Sequence, residues 1–255
     1  MDRSRSFVRR LLLAVSLAAA VSACQVRTAV TVNVGDDGSG TVEVATSLDR
    51  DAIRQLPDID GNGTSNADDL AALIRADDLK AAGWTVGRPA TAKDGTTSVR
   101  VVRRFGTPEE ANQILAQLTG PNGALRNLHV SRRDPFGRTQ FGFSGVADLS
   151  KGLDSFGDAG LAKALDGKPL GEDQAAIEKR TGQKLADSFH LDITAKLPGD
   201  TRTWSPRLGD PPLRMESDGT VYHWGPLILF FVAAGCIIAF ALVMVRRALK
   251  TATGG

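Results

Sequence analysis

Residues 227–245 read LILFFVAAGCIIAFALVMV, a run without a single charge. As a helix it would rise roughly 28 Å at about 1.5 Å per residue, close to the thickness of a bilayer hydrocarbon core. Tyr222 and Trp224 precede the run, and Arg246, Arg247 and Lys250 follow it. Aromatic residues on one flank and basic residues on the other predict a transmembrane helix over 226–246 and a cytoplasmic tail over 247–255. A buried core helix would have no use for the basic flank.

The other end carries a second membrane signal. Arg3, Arg5, Arg9 and Arg10 precede a short apolar stretch, residues 11–20, and then small residues lead to Cys24. The stretch is too short to span a bilayer but suits a secretory signal over 1–23. Val21-Ser22-Ala23-Cys24 resembles a lipobox, the processing site of bacterial lipoproteins. That resemblance implies that Cys24 is lipidated and becomes the mature N-terminus. The alternative is an ordinary cleaved signal with an incidental cysteine. With both anchors in place, residues 24–225 form an ectodomain on the outer face of the plasma membrane.

Charge separates the ends from the middle. The whole chain is formally +2. Residues 1–24 hold +3 and residues 226–255 another +3, which leaves −4 for residues 25–225. The basic balance therefore belongs to the membrane flanks, and no nucleic-acid surface is expected. Cys24 and Cys236 are the two cysteines of the chain, so no disulfide can staple the ectodomain. Its stability has to come from a core, for which about 200 residues suffice.

In residues 28–46, Val30, Val32 and Val34 alternate with polar residues, as do Val42 and Val44, with DDGSG between them. This predicts a β-hairpin. Leu70, Leu73 and Ile74 share a helical face that ends near Gly83. Val86, Val99 and Val101 predict further strands. Thr107-Pro108-Glu109-Glu110 has the cap, the proline and the acids of a helix start. Strands are expected again over LRNLHVSRR, around Phe141 and Phe143, and over FHLDITAKLPG. Residues 150–188, with Leu153, Phe156, Leu161 and Leu165 among glycines and charges, read as short helices crossing the sheet, either a lid or part of the core. The fold class expected is α+β: an antiparallel sheet with helices packed on one face, plus one C-terminal transmembrane helix.

The order of several motifs resembles the LppM-type actinobacterial lipoprotein domain family, a DUF3153-like family. They are the lipobox cysteine ahead of a valine-rich hairpin, LDRDA, DDLKAAGW, FGTPEEANQIL, FSGVADLSKGLDSFGD and TWSPRLGDPPLRMES. The resemblance implies an envelope-anchored ectodomain that binds lipid or glycolipid. It carries over no binding residue beyond Cys24, and residues 57–69 and 150–188 look longer than in the compact members.

Chemistry for an enzyme is sparse. His129, His190 and His223 stand apart in sequence, and no serine lies in a nucleophile elbow. The chain reads as non-enzymatic. DIDGNGTSNADD, residues 58–69, places Asp58, Asp60, Asn62 and Asp69 at the ligand positions of a calcium loop, with Thr64 offering a carbonyl and Asn66 a further ligand. Ser65 replaces the usual apolar residue, no second loop exists, and the last acid is Asp rather than Glu. The competing reading is a solvated loop that caps the next helix. The functional expectation is thus a lipid- or glycolipid-binding domain at the plasma membrane. The alternative is a scaffold for an envelope protein, with a calcium-ordered loop.

Overall fold

The structure is a computed structural model that describes residues 25–54, 67, 69–70, 76–118, 123–152, 155 and 188–252. The valine alternation forms the hairpin at its centre. Strand β1 (Val26–Val34) pairs antiparallel with β2 (Gly40–Leu48), Val30 facing Val44 and Val32 facing Val42. The turn closes through Gly35 N–H to the Ser39 carbonyl at 2.7 Å, and Gly38 takes φ 86°, a conformation that glycine adopts without strain. Helix α1 (Arg50–Ile53) follows; Asp49 caps it by accepting from Ala52 N–H at 2.7 Å and holds Gln25 N–H with its other oxygen at 2.6 Å. Next come α2 (Ala76–Ala81), the short β3 (Thr85–Val86) and β4 (Ala90–Thr91), β5 (Thr97–Phe105) and α3 (Pro108–Leu118). Then β6 (Leu125–Arg133), β7 (Arg138–Ala147), β8 (Phe189–Leu197), β9 (Asp200–Trp204), β10 (Leu213–Tyr222) and α4 (Trp224–Ala252) complete the chain.

The strands form two sheets. One has the order β3-β5-β2-β1-β8-β9 with β4 also on β5, and the other the order β10-β7-β6. Alternating burial gives the long strands an inner face: Val26, Thr28, Val30, Val32 and Val34 on β1; Phe141, Phe143 and Ala147 on β7; Met215 on β10. These faces share a single hydrophobic cluster, and the Phe143 ring stacks on Trp204 across the sheets at 5.8 Å. Where β10 passes the β8–β9 turn, a Cβ at Gly219 would collide with the Pro198 carbonyl oxygen, so only glycine permits that approach.

The expected α+β class is therefore corrected. The chain is mostly β-sheet, with four helices of which three are short, among the described residues. The layer expected to be helical is supplied largely by β6, β7 and β10. Alternation marks a half-buried strand but does not say which sheet it joins. The larger sheet is not wholly antiparallel either: β1 and β8 run parallel, Val26 beside Phe189 and Val32 beside Ala195. Helix α3 does pack as expected, burying Ala111, Ile114, Leu115 and Leu118. Its start is capped by Thr107, whose Oγ1 accepts from Glu110 N–H at 3.3 Å, and Glu110 Oε2 accepts from the preceding Gly106 N–H at 2.6 Å. Asn112 on this helix accepts from Val130 N–H at 2.7 Å and donates to its carbonyl at 2.9 Å, which closes part of the open edge of β6.

The C-terminal helix is a second correction. Side chains of α4 are described at residues 224–225 and 228–240. Among the described residues no helix is long and apolar enough to cross a membrane, so the expected span over 226–246 is not supported. Its described apolar side chains are nonetheless exposed. The lid-or-core expectation for residues 150–188 falls almost wholly outside the described residues.

Strand pairing gives the molecule two ends. Val34, the β8–β9 turn, Gly219 and Tyr222 lie at the end from which α4 leaves, since Gly199 sits against Thr220 and Gly219 against Pro198. Val26, His190 and Leu48 lie at the opposite end, the far end.

Candidate functional site

Two surfaces stand out, one at each end. At the far end the outer face of the larger sheet opens into a groove of about 300 Å³ lined by Arg27, His190, Leu191, Asp192, Ser205, Pro206 and Arg207. Arg27 enters from β1 and Asp192 from β8 because both occupy the outward positions of neighbouring parallel strands. Arg27 Nε lies 3.0 Å from Asp192 Oδ2, and Ser205 Oγ donates to Asp192 Oδ1 at 2.6 Å. This pair is mostly exposed on the arginine side and contributes at most about 1 kcal/mol to stability. Arg207 Nη groups and His190 make no ion pair among the described residues, so the groove presents donors to an incoming polar or anionic group. The Arg207 backbone is fixed by its N–H donating to Asp210 Oδ2 at 3.0 Å.

At the helix end, aromatic side chains crowd the surface. Phe136, in the β6–β7 turn, is 69% exposed and meets Phe230 of α4 edge-on at 5.7 Å. Tyr222 and Trp224 are also exposed, with their rings 6.4 Å apart. Beneath them lies a polar network. His223 N–H donates to the Gly137 carbonyl at 2.8 Å. The Thr139 hydroxyl donates to Asp134 Oδ1 at 2.7 Å and lies 2.8 Å from His223 Nε2. That hydroxyl has one proton, and the carboxylate takes it, so His223 Nε2–H is the donor toward Thr139. Arg132 Nε donates to Asp134 at 3.2 Å, and Arg132 Nη1 donates to the Asp37 carbonyl. The Thr139 hydrogen bond first, and then Arg132, hold the Asp134 carboxyl below its ordinary range.

The residues expected to carry function are placed unevenly. Cys24 lies outside the described residues, as do Asp58, Asp60 and Asn62 of the calcium loop. Asp69, its twelfth position, is helical and fully buried. Among the described residues no three His, Cys, Asp or Glu side chains are grouped to hold a metal. The three histidines go to three places: His129 to the outward face of β6, His190 to the groove and His223 to the network under α4. Sequence reasoning did not anticipate the groove or the Phe136–Phe230 contact. Arg27, Asp192 and Ser205 converge only through the parallel β1–β8 pairing and the exit from β9, which no local pattern encodes. Phe136 had a local signal, an apolar residue at a Pro-Phe-Gly turn tip.

Fold and surfaces together define a two-sheet β protein with an exposed apolar helix at one end and a polar groove at the other. Comparison with protein-family models, curated proteins and solved structures returns no match.

Proposed function

We propose that this chain is a non-catalytic lipid- or glycolipid-binding domain held against a membrane of the cell envelope. One observation carries the reading. Eight large apolar side chains of α4, Ile228, Leu229, Phe230, Phe231, Val232, Ile237, Ile238 and Phe240, are more than half exposed. Each is worth about 1.5–3 kcal/mol when withdrawn from water, so leaving all eight in water costs on the order of 10 kcal/mol. A lipid surface that takes up these side chains removes that cost. The lipobox-like Cys24 and the motif order resembling LppM-type lipoproteins point to the same surface. The ligand class follows from the location, and the groove of Arg27, His190, Asp192 and Ser205 offers charged and hydroxyl groups to a headgroup.

The test is to purify the full chain from membranes and identify co-purifying lipids by mass spectrometry, with a second arm that follows flotation with phosphatidylcholine vesicles. A defined lipid retained at a stoichiometric ratio, and lost on Arg27→Ala with Arg207→Ala, is the expected result. A chain that floats but retains no lipid would turn the reading toward a protein scaffold. A chain that does not float sinks it altogether.

A further inference from the structure

The β6–β7 turn ends in an exposed phenylalanine flanked by two arginines, on the same side of the molecule as α4. Arg133 closes β6 and Arg138 opens β7; both are exposed, and neither has an ion-pair partner among the described residues. Their neighbour Arg132 differs, because Asp134 and the Asp37 carbonyl occupy it. The one acid inside the turn, Asp134, is itself held by Arg132 and Thr139. The free charge at the tip is therefore positive. The turn is also braced rather than loose: Arg138 N–H donates to the Pro135 carbonyl at 3.1 Å, and His223 N–H bonds to the Gly137 carbonyl.

We propose that this turn is a second membrane contact, with Phe136 entering the interface of an anionic lipid surface while Arg133 and Arg138 meet lipid phosphates. The inference rests on the reading that α4 is seated in lipid. Its ring contact with Phe230 places Phe136 at the same depth as the start of the helix, and Tyr222 and Trp224 complete an aromatic collar of the type favoured at a headgroup boundary. The pairing of free arginines with phosphate selects anionic lipid. The contact would stop the domain from pivoting about the helix and so fix which face meets the membrane.

Flotation of the full chain separates the two ideas. Wild-type protein is expected to bind phosphatidylcholine vesicles and to bind vesicles containing phosphatidylglycerol more tightly. Arg133→Gln with Arg138→Gln should remove that gain, roughly fivefold for each arginine, and high salt should remove it too. A Phe136→Trp, Trp224→Phe variant should show fluorescence quenched by brominated lipid, because Trp84 is buried and Trp204 packs against the core, and both give a constant background. Unquenched fluorescence at position 136, or an anionic preference unchanged by the double Gln variant, overturns the second contact while leaving the helix reading intact. Absence of wild-type flotation overturns both.

Discussion

The two ends of the sandwich solve the same problem differently. At the helix end, the buried core is apolar, with Val32, Val34, Phe105, Phe141 and Leu197, and its buried hydroxyls are partnered: Thr139 with Asp134, Ser217 with Asp200 at 2.7 Å. At the far end, Thr28, Thr46, Thr97 and Ser188 interrupt the core, and the Thr28 hydroxyl has no hydrogen-bond partner among the described residues. The surfaces reverse the order. The helix end exposes Phe136, Tyr222 and Trp224, whereas the far end exposes Arg27, His190 and Arg207 around Asp192. An apolar core with its buried hydroxyls partnered, beneath an apolar surface, suits a rigid support for a membrane contact. Polar groups in and around the far end suit recognition of something with a polar head.

The sharpest way to break this contrast is to charge the helix. Phe231→Asp with Ile238→Asp removes about 4 kcal/mol of apolar burial from any lipid contact, roughly a thousandfold in partitioning. Vesicle flotation should collapse while circular dichroism of the sandwich is unchanged, because both side chains are exposed. Next in size is the core at the helix end. Phe141 is 2% exposed, and Phe141→Ala should lower unfolding free energy by about 3–5 kcal/mol in urea titration. Asn112→Ala follows at about 1–3 kcal/mol, since it strips the Val130 N–H and carbonyl of their partners. The freed edge of β6 should also raise the tendency to aggregate, measured by light scattering.

The same contrast shows what the sequence could reveal. Hairpin β1–β2, the capped start of α3 and strand β8 are local patterns, and valine alternation or a Thr-Pro-Glu-Glu start marks them without help from the rest of the chain. Sheet membership is not local. Residues around Phe141 and Phe143 alternate as any half-buried strand does, yet they belong to a second sheet whose other strands lie at 125–133 and 213–222. The groove was invisible for that reason: Arg27 and Asp192 are 165 positions apart and meet through one parallel pairing. The apolar run of α4 is helical as expected, but among the described residues no helix is long and apolar enough to cross a membrane, so the expected span is not supported. The β6 bulge between Arg126 and His129, where Asn127 takes φ 53°, likewise has no sequence mark beyond an asparagine that tolerates it.

A smaller effect with opposite sign tests the far end. Thr28→Val replaces an unpartnered buried hydroxyl with a methyl of similar shape, and should raise stability by about 1 kcal/mol. Because Thr28 faces the core and the groove lies on the outer face of the sheet, the variant should retain lipid as the wild type does. A loss of stability would show that the far-end core is not the unsatisfied site described above.

The smallest effect concerns acid, and it compares one carboxylate from each end. Asp134 at the helix end is lowered by Thr139 and then Arg132; Asp148 at the far end is lowered by the Ser150 hydroxyl and amide, then by Arg126. A carboxyl whose folded pKa lies below its unfolded value stabilises the fold above the unfolded value, near about 3.9, and loses that contribution as pH falls through the folded one. Melting temperature should therefore drop below about pH 4, and each of Asp134→Asn and Asp148→Asn should flatten that drop. The two variants separate in a second readout. Asp134→Asn loosens Arg132, Thr139 and the turn that presents Phe136, so it should weaken binding to uncharged phosphatidylcholine vesicles at neutral pH, whereas Asp148→Asn, at the other end of β7, should leave binding unchanged.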